Sequence, residues 1–76
     1  MKSVDGTTYT VVGSFTMTHK RTYKTKYFLA VEKPGTNELI AMNVSDFKGM
    51  TQKKASQMNK INRDVKLPPY IESDFV

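Results

Sequence analysis

The sequence predicts an α+β fold: a three-stranded antiparallel sheet with room for a fourth strand, then one C-terminal amphipathic helix and a short extended tail. Three observations carry that expectation. Apolar residues alternate with a period of two between Thr7 and Val44. A basic stretch and a Pro-Gly turn divide that region into short segments, so consecutive strands should pair antiparallel. From Met50 onward the apolar period lengthens to that of a helix.

Asp5-Gly6 is a tight-turn dipeptide, and a short strand around Lys2–Val4 can fold back there. In the first firm strand, Thr7 to Thr18, Tyr9, Val11, Phe15 and Met17 share one parity. Thr8, Thr10, Ser14, Thr16 and Thr18 share the other. Gly13 interrupts the apolar parity and marks a bulge or bend. Lys26–Glu32 sets Tyr27, Leu29 and Val31 against Phe28 and Ala30, so it is apolar on both faces, as a central strand is. Lys33-Pro34-Gly35-Thr36-Asn37 is a turn, and Glu38–Val44 is the third strand, with Ile40, Met42 and Val44 facing one way. The sheet therefore covers about residues 7–44.

Met50, Lys54, Met58, Ile61 and Val65 recur at helical spacing, with Ala55 beside them and Thr51 placed as an N-cap. A helix is expected over about residues 51–64, since Leu67-Pro68-Pro69 forbids continuation. In the tail, 67–76, Tyr70, Ile71, Phe75 and Val76 can dock as a short strand or an extended segment. A single helix would cover one sheet face and leave the other open to a partner.

At 76 residues the chain, 1–76, is one small domain near the lower size limit for an unstapled core. It has no cysteine, which excludes disulfides and thiolate metal sites and fits a reducing, cytoplasmic compartment (the host cytoplasm for a viral protein). One histidine and scattered carboxylates argue against structural zinc, and no cofactor motif is present. Apolar packing must then supply stability, and a homodimer would add to it. There is no signal-peptide core and no apolar run of membrane-spanning length. Beginning at Met1, the chain is expected to be a complete small gene product, compatible with a virus-encoded protein.

The formal net charge is +5, and it is unevenly placed. Residues 19–26 hold four bases and no acid, together with His19 and Tyr23; residues 51–66 hold five bases and Asp64. A merely soluble surface does not require such confinement. Nucleic acid, DNA or RNA, is the first partner to consider, and an acidic protein surface the alternative. Lys20, Arg21, Lys24 and Lys26 are the candidate phosphate contacts, and Tyr23 can stack on a base or sugar. Lys53, Lys54, Lys60 and Arg63 form a second candidate cluster. Against these stand plain structural roles: a charge-blunted hairpin tip for the first stretch and a solvated helix face for the second.

His19, Lys20, Arg21 and Tyr23 are also the residue types of a metal-independent ribonuclease. Four groups on one tip lack the preorganised pocket that such chemistry needs, and no nucleophile motif, phosphate loop or metal-ligand spacing occurs. The expectation is a small non-catalytic nucleic-acid-binding protein. The alternative is a protein-binding modulator, such as a phage-encoded inhibitor of a host enzyme or transcription component, with the ribonuclease third.

Three strands followed by Phe47-Lys48-Gly49-Met50-Thr51-Gln52-Lys53-Lys54-Ala55 and a helix resemble, over residues 24–62, the arm-site DNA-binding domains of phage and transposon integrases. That resemblance implies a sheet, rather than a helix, that enters the major groove. The family's arginine-rich strands and aromatic signature are absent here.

Overall fold

The computed structural model describes all 76 residues. Four strands lie side by side in sequence order: β1 (Thr10–Thr18), β2 (Thr25–Glu32), β3 (Leu39–Asn43) and β4 (Val65–Lys66). The first three form the expected antiparallel meander with β2 inside it, whereas β4 joins β3 in parallel. Two helices are present and both are short, α1 (Gln52–Ser56) and α2 (Pro69–Glu72). No helix is long and apolar enough to cross a membrane.

Because β2 is apolar on both sides, the sheet carries a core on each face. Leu29 and Val31 pack with Val44, Phe47 and Ala55 on one face. Phe28 packs with Met17, Ala41 and Ile71 on the other. Phe28 is wholly buried, with the rings of Phe15 and Phe75 at 6.1 and 4.9 Å. Each such side chain contributes about 1.5–3 kcal/mol on leaving water. The expected open face is therefore corrected: α1 and a 3-10 turn at Val44–Asp46 cover one side, and α2 with the tail covers the other.

A bulge between Val11 and Gly13 distributes β1 between the two cores. Tyr9 and Val11 pack on the first cluster, Phe15 and Met17 on the second. One inserted residue moves everything beyond it to the other face, so the shared apolar parity of the sequence is split in space. Glycine is required at 13 by close approach: a Cβ there would lie 2.7 Å from Ile61 Cδ1 and press on the Asn59 carbonyl.

The helix expected over 51–64 is also corrected. Thr51 caps as predicted, its hydroxyl accepting the Lys54 N–H at 3.1 Å, but α1 ends at Ser56. The chain then runs extended beside β1, where Ser14 donates its N–H to the Asn59 carbonyl at 2.9 Å and accepts from the Ile61 N–H at 3.0 Å. A few residues later, as β4, it pairs with Leu39 and Ile40 of β3. One segment thus covers part of the outer edge of β1 and part of the outer edge of β3. A helix keeps its hydrogen bonds to itself and rises about 1.5 Å per residue; an extended chain rises about 3.3 Å and offers partners to bare edges. The apolar stripe is still used, with Met58 in the first core, Val65 in the second and Ile61 against Gly13.

The tail differs too. Pro69 opens α2, where a missing N–H costs nothing, and the chain end then becomes strand-like. Thr18 and Val76 exchange N–H···O bonds of 3.0 and 2.9 Å. At the other terminus Lys2 bridges Thr8, so the fold-back around Asp5-Gly6 is present.

Candidate nucleic-acid interface

The β1–β2 connection is a tight loop. His19 donates its N–H to the Lys24 carbonyl at 2.9 Å, and Tyr23 donates its own to the His19 carbonyl at 2.9 Å. The His19 side chain holds this loop from inside: Nδ1 accepts the N–H groups of Arg21 (3.1 Å) and Thr22 (3.2 Å), which requires that nitrogen to be unprotonated. Its ring packs edge-on against Phe75, 5.1 Å between centroids.

Tyr23 is the only non-glycine residue with positive φ, at 59°. A residue with a Cβ costs roughly 1–2 kcal/mol there relative to right-handed backbone, and glycine or asparagine is the usual occupant. Yet the ring is 80% exposed, so packing does not repay the strain. Arg21 and Lys24 beside it are exposed, and their side chains make no hydrogen bond or ion pair.

The other predicted bases are placed differently. Lys20 Nζ donates to the Glu72 carbonyl at 3.0 Å, and Lys26 Nζ lies 5.1 and 5.2 Å from the Phe28 and Phe75 rings. Both are tied to the shoulders of the hairpin, where the tail brings Glu72 and Asp74. The second predicted cluster is dispersed. Lys53 and Lys54 sit on α1, over the face opposite the tail, with Lys54 Nζ on the Gly49 carbonyl at 3.1 Å. Lys60 lies at the β1 edge beside Ser14, and Arg63 reaches the Asn37 carbonyl at the β2–β3 turn, the far end of the sheet. The second stretch is thus split: Gln52, next to Lys53, is bound to Tyr27, next to Lys26, whereas Arg63 lies at the opposite end of the sheet.

Three contacts had no signal in the sequence. Gln52 accepts the Tyr27 N–H at 2.7 Å and donates to the Tyr27 carbonyl at 3.1 Å, standing in for a peptide group where β3 has ended. His19 acts as a loop clamp and Phe75 as the platform under Lys26; both depend on residues distant in sequence or on loop geometry. Two shallow clefts lie elsewhere, one of about 280 Å³ at the β1 edge around Thr16 and one of about 210 Å³ between Lys33, Ile40 and Pro68. Neither contains a histidine or a pair of carboxylates, and no three His, Cys, Asp or Glu side chains gather anywhere.

No protein-family model matches the chain, and no curated protein or solved structure is significantly similar to it. The likeness to integrase arm-site domains therefore rests only on element order and the lysine-alanine run at Lys53-Lys54-Ala55. Both sheet faces are occupied here and α1 has only 5 residues, so the exposed sheet that this likeness implies is missing.

Proposed function

We propose that the protein is a non-catalytic nucleic-acid-binding module that works through its β1–β2 hairpin tip. Tyr23 carries this reading: an exposed aromatic ring held at a backbone conformation it disfavours, between two unpaired cations. Backbone outliers of this kind concentrate at ligand contacts. Arg21 and Lys24 supply direct phosphate contacts, and Lys20 and Lys26 add attraction from the shoulders. His19, the one histidine available as a general base, has its Nδ1 occupied by two loop N–H groups, which supports binding over catalysis.

The test is oligonucleotide binding measured against salt concentration. Neutralising Z phosphates gives a log–log slope of about −0.7Z on single strands and −0.9Z on duplex DNA. Replacing Lys20, Arg21, Lys24 and Lys26 together by alanine should flatten that slope and weaken binding to every sequence. Affinity unchanged by the quadruple substitution would overturn the proposal.

The small number of unpaired cations, two at the tip, favours one alternative: a modulator that inserts the same tip into an acidic site on a protein. Stoichiometric retention of one protein from nuclease-treated lysate, with weak binding of free nucleic acid, would select it.

A further inference from the structure

Resting on that reading, we infer that the ligand is single-stranded, with one unpaired base stacked on Tyr23 and the flanking phosphates on Arg21 and Lys24. A hairpin can meet a duplex edge-on or face-on, and the tail obstructs the first route. It pairs with β1 through Thr18–Val76 and through the Lys20 N–H to the Asp74 carbonyl at 2.8 Å, so the ribbon is three strands wide almost to its tip. At about 4.8 Å per strand the outer backbones lie roughly 10 Å apart before side chains are added, against a major groove about 12 Å wide that admits two strands. The same segment brings the acidic residues Glu72 and Asp74 beside Lys20, through their backbone carbonyls. The face-on route is closed by α1 on one side and by α2 with Phe75 on the other.

What projects is the loop from Lys20 to Tyr23, and its one large apolar group is the Tyr23 ring. A base inside a duplex has its π-faces covered by its neighbours, whereas an unpaired base offers a free face to an aromatic platform. The clamp from His19 Nδ1 orders the loop in advance, so stacking does not have to order it. Stacking and phosphate pairing are chemistry shared by single-stranded DNA and RNA, and the DNA and RNA arms of the test distinguish them.

Fluorescence anisotropy on the full chain, with strands of about 12 nucleotides as DNA, as RNA and as the matched duplex, tests this. Single strands should bind about tenfold or more tighter than the duplex, and Tyr23→Gly should lose roughly 5- to 150-fold on single strands. Tyr23→Phe should keep the affinity, and both variants should keep the salt slope, because no phosphate contact is removed. Glycine suits φ 59°, so a folded Tyr23→Gly protein is expected by circular dichroism. If duplex binds as tightly as single strands, or if Tyr23→Gly binds as wild type while Arg21→Ala/Lys24→Ala weakens, the single-strand assignment fails and nucleic-acid binding stands. If no oligonucleotide binds at low salt, the proposed function itself fails.

Discussion

At one end of β2 the chain turns through Pro34-Gly35 and at the other through Thr22-Tyr23, and both turns place a residue in the left-handed region. Gly35 has φ 79° with nothing within 4 Å of where a Cβ would point, and backbone bonds from Lys33 to Glu38 and from Thr36 to Lys33 close the turn. Around it, exposed Lys66 lies 4.0 Å from Glu38 and Arg63 reaches the Asn37 carbonyl at 3.5 Å, while the Lys33 side chain makes no ion pair. Tyr23 solves the same backbone problem with the wrong residue for stability, and the cations beside it are unmet. A turn that only reverses the chain takes glycine. A turn that keeps an exposed ring on strained backbone has another use for the ring.

Releasing the tail from the tip should have the largest effect on this contrast. Phe75 is half-buried between Phe28 and His19, so Phe75→Ala should destabilise by about 2–3 kcal/mol, below the range for a wholly buried phenylalanine. Urea unfolding measures it, and an unchanged midpoint would mean that the tail does not support the tip. Gly35→Ala comes next, at about 1–2 kcal/mol, all of it backbone strain because the new methyl meets open space. Tyr23→Gly should move the opposite way, a gain of about 0.5–1 kcal/mol after the entropic cost of glycine is subtracted. A loss of stability in that variant would show that the ring packs, and the two turns would then be alike.

The smallest effect belongs to a third turn, at Asp5-Gly6, where Gly6 has φ 91°. The Ser3 hydroxyl and the Thr7 N–H both donate to the Asp5 carboxylate, and they hold its pKa below the ordinary 3.8. A depressed folded-state pKa gives stability that is present above about 3.8 and lost as pH falls through the lower folded value. Thermal melts of wild type and Asp5→Asn between about pH 2 and 7 should show a small gap at neutral pH that closes on the acid side. A gap independent of pH would assign the effect to shape rather than charge.

Much of the fold was legible because it is local. Glycine and proline set the turns at Asp5-Gly6 and Pro34-Gly35, alternation set three strands, the double-sided apolar run of 27–31 put β2 inside the sheet, and Thr51 capped α1. The exposed basic tip was legible for the same reason, since charges without nearby apolar neighbours have only the surface to occupy. The clamp by His19 was not, because it depends on the backbone angles of the loop it closes.

The segment after Ser56 was decided by tertiary structure. Its apolar spacing suits a helix, but spacing counts only the faces that need covering and says nothing of the bare edges of β1 and β3. An unpaired buried backbone group costs more than the small difference in local helix propensity, so the chain extends and pairs with both edges. The bulge at Gly13 was legible in the sequence, but the approach of Ile61 that requires glycine there was not, nor that the bulge sends Phe15 and Met17 to the second core. By itself the sequence determined the three-stranded meander, its turns and where the charge is concentrated. Only tertiary structure decided that both sheet faces are covered and that Lys20 and Lys26 are tied to the tail while Arg21, Tyr23 and Lys24 project, because edge pairing and face packing join residues far apart in the chain.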